Sequence, residues 1–340
     1  MSAIFVVDAF WGDSGKGKIA AYLAARHQAA YTARAGTGTN AGHSILFADQ
    51  RQIRTHQLPC AFLHPSTQVR VGSGVAVDPE RFFAELEQLD DQYDLRQRTR
   101  VDYRCPLILP EYRQREADDP HLRDTVGTVA SGTGVARAEF ALRRAQQARS
   151  APQLEGYTAD VARELNSACD QDQTVIVEGS QGTYLSLALS PDYPYCTSDN
   201  CTTAALADDV GLNWRHIGEV VLVVKALPSR VGAGPLPLQM EAAEEDARGI
   251  VEFGVTSGRR RRKASGISWP HLDEAVMLNG PTQLALTFCD HLDPAVKGAG
   301  QQEALTDPVL RLIDRLEERY QIPVSLCDCG PYFEHLVERN

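Results

Sequence analysis

The chain has 340 residues, a formal net charge of −11 at pH 7 and a hydrophobic fraction of 43%. That apolar content suffices for a large core, whereas the negative charge argues against a sequence-independent nucleic-acid binder, which needs a net basic face. No apolar run is long enough to span a membrane. The N-terminus enters a strand-like run without a secretory leader, so we expect a cytoplasmic protein.

Strand-like apolar runs alternate with helix-like segments along most of the chain. The predicted strands are residues 4–8, 68–71, 174–178, 219–224, 283–289 and 324–327. The predicted helices are residues 16–27, 79–89, 137–148, 158–170, 202–210, 271–278 and 308–320. This alternation is typical of an α/β fold with a mostly parallel central sheet and helices on both faces. No linker or repeat interrupts it, so we predict a single domain over residues 1–340.

The eight cysteines are expected to be free thiols, because a long chain without a leader is typical of a reducing compartment. An alternative interpretation makes zinc ligands of Cys196 with Cys201 and Cys327 with Cys329. Their spacings differ from those of common zinc sites, so we expect no zinc site there.

A glycine-rich turn, Gly-Asp-Ser-Gly-Lys-Gly-Lys at residues 12–18, follows the first strand and precedes a helix. Strand, glycine turn and helix is the layout of a phosphate site, since backbone N–H groups, the helix N-terminus and a lysine all attract an anion. The spacing is not the Walker pattern. Asp13 is open to two interpretations: an N-cap of the helix, or a carboxylate beside phosphate that binds Mg²⁺ or accepts a proton.

Six motifs in order resemble those of the adenylosuccinate synthetases. They are Gly-Asp-Ser-Gly-Lys-Gly-Lys at 12–18, Asn-Ala-Gly-His at 40–43, Glu-Gly-Ser-Gln-Gly-Thr at 178–183, Tyr-Pro-Tyr-Cys-Thr-Ser at 193–198, Arg-Val-Gly-Ala-Gly-Pro at 230–235 and Thr-Ser-Gly-Arg-Arg-Arg-Arg at 256–262. The resemblance implies the fold of that family, with a P-loop-like nucleotide site, and a homodimer.

The resemblance also implies a reaction. Asp13 would be the general base and a Mg²⁺ ligand, with the carbonyl of Gly42 as the second protein contact to the metal. His43, which alone could be an ordinary buried or surface histidine, would stabilise the transferring phosphoryl group. Phosphorylation of the six-oxo group of a purine makes it a leaving group, which the amino group of L-aspartate then displaces.

Three sets of binding residues follow from the resemblance. The phosphate donor would contact Asp13, Ser14, Gly15, Lys16, Gly17, Lys18, Arg261, Asp290 and Gly330. The purine monophosphate would contact Asn40, Thr128, Val129, Arg143, Gln181, Thr197, Arg230 and Arg259, with Arg143 reaching across the dimer. L-Aspartate would contact Thr256, Ser257, Gly258, Arg259 and Arg261, because arginine meets a carboxylate with two parallel hydrogen bonds. On its own, the arginine run would be an ordinary basic surface patch.

Three departures from the family pattern suggest a different substrate. Ser14 stands where the family has glutamate, Val129 where it has a hydroxyl, and Phe288 where it has the lysine that flanks a guanine donor. We therefore expect the phage-type branch of the family, a 2-aminoadenylosuccinate synthetase that joins L-aspartate to dGMP with ATP or dATP, in the host cytoplasm. Phe288 is equally open to a core role.

Two alternatives remain at the level of sequence. An ordinary adenylosuccinate synthetase acting on IMP with GTP shares every catalytic role and differs only in the substrate pockets. A nucleotide-binding module without ligase activity belongs to another class, and the arginine run argues against it because such a module does not need one. Neither a nucleic-acid nor a membrane partner is expected.

Overall fold

The computed structural model describes residues 3–254 and 256–339. Its strands are β1 Ala3–Asp8, β2 Tyr31–Arg34, β3 His43–Leu46, β4 Gln52–Thr55, β5 Gln68–Val71, β6 Thr99–Asp102, β7 Thr158–Ala159, β8 Val175–Glu178, β9 Ile217–Lys225, β10 Ser229–Arg230, β11 Arg262–Lys263, β12 Gln283–Thr287, β13 Val324–Asp328 and β14 Leu336–Glu338. Ten of these described strands form one sheet, in the order β14-β13-β12-β9-β1-β8-β2-β5-β6-β7.

Every neighbouring pair in this sheet is parallel except β13 with β14. The central strand β1 is buried along its whole length, as a strand covered on both faces should be. Its alternate residues enter two different cores: Phe5 and Val7 pack on one side, Ile4 and Val6 on the other. The predicted mostly parallel α/β sheet is confirmed.

The helices cover both faces. They are α1 Lys16–Arg26, α2 Pro79–Tyr93, α3 Leu95–Arg98, α4 Pro110–Asp118, α5 Thr133–Ala141, α6 Val161–Asp170, α7 Thr203–Asp209, α8 Ala242–Arg248, α9 Trp269–Asn279, α10 Cys289–Leu292 and α11 Asp307–Tyr320. Ile19 and Leu23 of α1 pack on the Ile4 side of β1, whereas Leu165 of α6 and Ile313 of α11 pack on the opposite side. In the described part of the chain no helix is both long and apolar enough to cross a membrane.

The predicted elements agree with the structure for all six strands and for six of the seven helices, within a few residues at their ends. The helix predicted at 137–148 is wrong in its extent, because α5 ends at Ala141 and Arg143 adopts a left-handed backbone with φ of 60°. Eight short strands, β2, β3, β4, β6, β7, β10, β11 and β14, were not predicted.

Parallel strands point their carboxyl ends to one edge of the sheet, and ligands of open α/β sheets lie at that edge. The turn between β1 and α1 leaves this edge at its centre, where the sheet order runs outward to β8 on one side and β9 on the other. The loops that follow β1, β2, β8, β9 and β12 therefore converge. They surround a cleft at this edge.

Candidate active site

A cleft of about 940 Å³ lies at the carboxyl edge of the sheet. Its walls are formed by the phosphate loop, the loop before His43, the loop after β8, the segment 126–135 and the arginine-rich loop after Glu252. Most of the predicted site residues line it. They are Asp13, Ser14, Gly15, Lys16, Gly17, Asn40, Gly42, His43, Thr128, Val129, Gln181, Thr197, Arg230, Thr256, Ser257, Arg259 and Arg261.

Five predicted site residues do not line this cleft: Lys18, Arg143, Gly258, Asp290 and Gly330. Lys18 is buried beside the cleft, where its Nζ donates to Asp328 Oδ1 at 2.6 Å and to the carbonyl of Gly330 at 2.9 Å. It thereby ties the phosphate loop to the turn after β13. Arg143 is exposed on the surface, in the turn that ends α5.

The phosphate loop is held by close packing against the loop after β8. A Cβ atom on Gly182 would lie 2.4 Å from the carbonyl oxygen of Phe10 and 2.5 Å from the amide nitrogen of Gly12, so only glycine allows this approach. The N-cap of α1 is Gly15, without a side-chain cap. The Asp13 side chain is therefore not the N-cap, and the carboxylate remains for another role.

Asp13 contacts Arg261 within the cleft. Arg261 Nε lies 3.0 Å from Asp13 Oδ2, and Arg261 NH1 donates to Glu252 Oε1 at 3.0 Å. The Asp13 side chain is 27% exposed, and its second carboxylate oxygen has no hydrogen-bond partner among the described residues. Carboxylate and carbonyl oxygens are the ligands that Mg²⁺ prefers, so the carboxylate of Asp13 and the carbonyl of Gly42, both lining the cleft, fit the metal by their chemistry.

His43 is buried in a polar cluster behind the phosphate loop. Arg34 NH1 lies 2.6 Å from His43 Nδ1 and 2.9 Å from Glu178 Oε1, and that Glu178 oxygen contacts His43 Nδ1. Burial, followed by the charge of Arg34, lowers the pKa of His43 to about 4, so the ring is neutral at pH 7. Burial opposes ionisation of Glu178, yet its contacts with His43, Arg34 and the amide of Cys60 hold its pKa below the ordinary value.

The backbone of α1 fixes His43 from the other side. A Cβ atom on Gly17 would lie 2.9 Å from the Cβ atom of His43, which is too close for two carbon atoms. Within the described residues, His43, Cys60 and Glu178 also form the one group with ligand atoms near enough to share a metal. The guanidinium of Arg34 already occupies that cluster as its cation.

Lys16 lines the cleft at the start of α1, although it is largely buried. Its Nζ lies 3.3 Å from Asp8 Oδ2, a carboxylate at the end of β1. Because Asp8 also accepts the amide of Phe10, it holds both the lysine and the loop that carries Asp13. The phosphate loop therefore presents a cation whose position is fixed by the central strand.

Asn40 and Thr197 come from distant parts of the sequence and meet in the cleft, with Asn40 Nδ2 donating to Thr197 Oγ1 at 3.1 Å. Thr37 Oγ1 donates to the other end of the Asn40 amide at 2.8 Å. Arg230 differs from these residues, because both terminal nitrogens of its guanidinium donate to Asp192 and to two backbone carbonyls. Arg230 thus shapes the wall of the cleft from behind.

The arginine run forms a hairpin. Phe253 pairs with Arg260, the amide of Gly254 donates to the carbonyl of Arg259, and the amide of Arg261 donates to the carbonyl of Glu252. At the tip, Arg259 NH1 donates to the carbonyl of Gly127 at 3.0 Å. We call residues 252–261 the arginine hairpin; the description leaves out Val255. It closes the cleft against the segment that contains Val129.

Two side chains that follow β12, one aromatic and one acidic, lie at the cleft or beside it. Phe288 lines the cleft, half-buried, with Lys225 Nζ 4.0 Å from its ring centre and Lys263 Nζ 5.9 Å away. Asp290 is half-buried beside it, and its carboxylate has no side-chain partner among the described residues. Burial and the charge of Asp328 raise the pKa of Asp290.

The family model described as adenylosuccinate synthetase matches residues 5–151 and 143–297. The adenylosuccinate synthetases of Thermococcus onnurineus and Pyrococcus horikoshii are 41% and 40% identical to this chain over 343 aligned positions, which cover 100% of it and 99% of each relative. The chain belongs to the adenylosuccinate synthetase family. It is therefore a carbon–nitrogen ligase, as predicted.

Solved structures agree with this family fold. The fully ligated adenylosuccinate synthetase of Plasmodium falciparum superposes with a TM-score of 0.90 at 19% identity, with 100% of both chains covered. The succinoaminodeoxyadenylate synthetase of cyanophage S-2L, bound to dGMP and dATP, has a TM-score of 0.81 at 26% identity, covering 99% of this chain and 95% of that one.

The prediction of a dGMP ligase driven by ATP or dATP is wrong. Relatives that match nearly the full length of this chain at 33–41% identity are named adenylosuccinate synthetase, which supports the alternative of an ordinary adenylosuccinate synthetase instead. The departure at Phe288 misled us because a sequence shows only the lost lysine. In the structure, the buried Lys225 packs against the same ring, with its Nζ 4.0 Å from the ring centre.

Sequence reasoning also missed four residues that organise this synthetase cleft: Arg34, Glu178, Lys225 and Glu252. Arg34, Glu178 and Lys225 are buried charges at the carboxyl ends of β2, β8 and β9. A charged residue that closes an apolar strand was the available signal, because buried charges need partners. Glu252 carried no signal in the sequence, since its three cationic neighbours meet only in the fold.

Proposed function

We propose that this chain joins L-aspartate to the six position of IMP, with GTP as the phosphate donor, through a 6-phosphoryl intermediate. The observation that carries the proposal is the position of Asp13, which lies on the phosphate loop and contacts Arg261 of the arginine hairpin. A base is needed where the donor phosphate, the purine and the anionic amino acid meet. The names of the full-length relatives support the same reaction.

The first step activates the purine. Asp13 removes the proton from the ring nitrogen beside the six-oxo group, so that negative charge develops on the oxygen, which attacks the γ-phosphorus of GTP. Lys16 and His43 line the same part of the cleft and stabilise the charge on the transferring group. GDP leaves, and the purine carries a phosphate in place of a poor leaving group.

The second step forms the carbon–nitrogen bond. The amino group of L-aspartate attacks the six carbon, and the C–O bond breaks to release inorganic phosphate. Both carboxylates of aspartate need cationic partners, and Arg259 and Arg261 line the cleft on the arginine hairpin. Contact of Arg259 with the carbonyls of Gly127 and Thr128 closes the cleft and helps to exclude water, which would otherwise hydrolyse the intermediate.

The proposal assigns Mg²⁺ to the oxygens of Asp13 and Gly42, where bound metal would offset the charge of the donor phosphates. It assigns the 5′-phosphate of IMP to Asn40, Thr197 and Gln181, which line the cleft together. Arg143 is exposed and does not line the cleft of its own chain, so it would serve this role only from a second copy. We therefore include a homodimer in the proposal.

A guanine donor fits the chemistry of Asp290. Guanine offers two N–H donors on its Watson–Crick edge, and Asp290 is a half-buried carboxylate without a side-chain partner among the described residues. Its raised pKa reflects the cost of burying that charge unpaired. Two N–H groups of guanine would relieve this cost, whereas adenine has only one amino group to donate.

The test is an assay of phosphate release and product absorbance with purified enzyme, Mg²⁺, L-aspartate and each pairing of IMP or dGMP with GTP or ATP. The proposal expects aspartate-dependent product with IMP and GTP, at a kcat/KM at least about tenfold above that of any other pairing, which is a difference of about 1.4 kcal/mol in transition-state stabilisation. Preferred use of dGMP, or of ATP, would contradict it.

A further inference from the structure

Glu252 stands at the base of the arginine hairpin, directly opposite Arg261. The carbonyl of Glu252 accepts the amide of Arg261 at 2.9 Å, and its side chain accepts Arg261 NH1 at 3.0 Å. Glu252 and Arg261 are therefore joined by a backbone hydrogen bond and by a side-chain hydrogen bond. The bridge between Phe253 and Arg260 continues the pairing towards the tip.

Three cations meet on this one carboxylate. Lys225 Nζ donates to Glu252 Oε2 at 2.9 Å, Lys263 Nζ contacts the same oxygen, and Arg261 contacts the other oxygen. The Glu252 side chain is 15% exposed, and the lysines are more deeply buried. Burial opposes the charge of Glu252, yet the three cations together hold its pKa far below the ordinary value. The carboxylate is thus ionised throughout the physiological range.

The cluster reaches the phosphate loop as well. Lys225 Nζ donates to the carbonyl of Asp13 at 3.0 Å and to Ser229 Oγ at 2.7 Å. Glu252 therefore links the backbone of Asp13, through Lys225, with the guanidinium that contacts the Asp13 carboxylate. The side chain of Glu252 thereby holds the arginine hairpin in position relative to the phosphate loop.

We propose that Glu252 is a positioning residue, which clamps Arg261 by its NH1 group so that the opposite edge of the guanidinium faces the anionic substrates. Among the described residues, NH2 of Arg261 has no partner, while Nε lies beside Asp13 and NH1 is held by Glu252. Without Glu252, Asp13 would be the remaining carboxylate for Arg261, and the guanidinium would turn towards it. This inference rests on the proposed role of Arg261 in binding L-aspartate.

The test compares Glu252→Gln with Glu245→Gln. Glu245 is a buried carboxylate that supports the outer side of the same hairpin, pairing with Arg260 and accepting the amide of Lys263. Glu252→Gln should raise the KM for L-aspartate by about tenfold or more with the KM for IMP little changed, because misplacing a binding group by about 1 Å is costly. Glu245→Gln should leave both values near those of the wild type. Equal effects of the two variants would overturn the proposal.

Two further measurements separate positioning from folding and from the proposed function. Glu252→Asp keeps the charge but shortens the side chain, so it should restore the melting temperature lost in Glu252→Gln without restoring the KM for L-aspartate. Crystal structures of both variants provide a readout without activity: the Arg261 guanidinium should leave its place in Glu252→Gln and keep it in Glu245→Gln. An unmoved Arg261 in Glu252→Gln would overturn the inference, even if the wild type showed no activity with IMP.

Discussion

Arg261 Nε lies 3.0 Å from Asp13 Oδ2, although the two residues are far apart in the sequence. Asp13 is the proposed general base, and Arg261 is the proposed partner of substrate anions. Because the guanidinium of Arg261 contacts Asp13 and is also proposed to bind the substrate anions, an incoming carboxylate or phosphate would compete with Asp13 for it. Binding of the anionic substrates and release of the base are thereby coupled in this cleft.

Replacing Asp13 by asparagine tests the base itself. The amide keeps the size of the side chain but cannot accept the purine proton, so kcat should fall by about 10² to 10⁴, the usual contribution of general base catalysis. The measurement is aspartate-dependent product formation at saturating substrates. The exposed Asp49, which pairs with Arg51 and does not line the cleft, supplies the control Asp49→Asn with activity unchanged. A kcat within threefold of the wild type for Asp13→Asn would show that Asp13 is not the general base.

Stability should depend on pH through His43. Its pKa is about 4 in the folded protein and 6.5 in the unfolded chain, so the unfolded chain binds the extra proton as the pH falls from 6.5 to 4, and stability is lost in that window. Between pH 7 and pH 5 this one group should lower the free energy of unfolding by about 2 kcal/mol. Urea unfolding of the wild type and of His43→Asn at both pH values measures it.

The difference between the two proteins isolates His43, because Arg34 and Glu178 remain in both. The account expects the pH dependence of His43→Asn to be smaller by that amount. The same dependence in both proteins would mean that the pKa of the imidazole does not change on folding.

Gly17 should be intolerant of a single methyl group. In Gly17→Ala the new Cβ would collide with the Cβ of His43, which cannot move aside as the end of a flexible side chain could. Displacement of the ring by about 1 Å should lower kcat by about 10²-fold. The control is Gly266→Ala, where nothing lies within 4 Å of the new atom. Loss of activity in both variants would point to helix or loop stability as the cause.

A mixing experiment tests the dimer and Arg143 together. Asp13→Asn and Arg143→Ala should each be nearly inactive alone, if Arg143 completes the cleft of a second copy. Unfolding and refolding them together should restore up to about one quarter of the wild-type activity, because half of the randomly formed dimers are mixed and each has one intact site. Activity that stays at the level of the separate variants would show that Arg143 acts within its own chain or not at all.

The layout of this fold could be predicted because its strands are continuous apolar runs separated by helical periodicity, as in β1 and α11. The strands that were missed are short. β3 and β4 form a separate small antiparallel sheet, and β2 contains Arg34 in a buried position. A buried arginine makes such a run look like a loop, since its partners Glu178 and His43 are provided by other parts of the chain.

The cleft could be located from its motifs, but the contacts within it could not. Nothing in the spacing of residues shows that Arg261 contacts both Asp13 and Glu252, or that Lys225 lies on the ring of Phe288. The sequence shows Phe288 in place of a lysine, but it does not show the buried Lys225 that packs against the ring. Substrate choice therefore depends on packing that a motif does not describe.

The most direct measurement follows the six-oxygen of the purine. With IMP labelled at that position with ¹⁸O, together with GTP, Mg²⁺ and L-aspartate, the account predicts that inorganic phosphate carries one ¹⁸O atom for each molecule of product. Phosphate without the label, formed at the same rate as product, would mean that the oxygen does not leave as phosphate and would contradict the central claim.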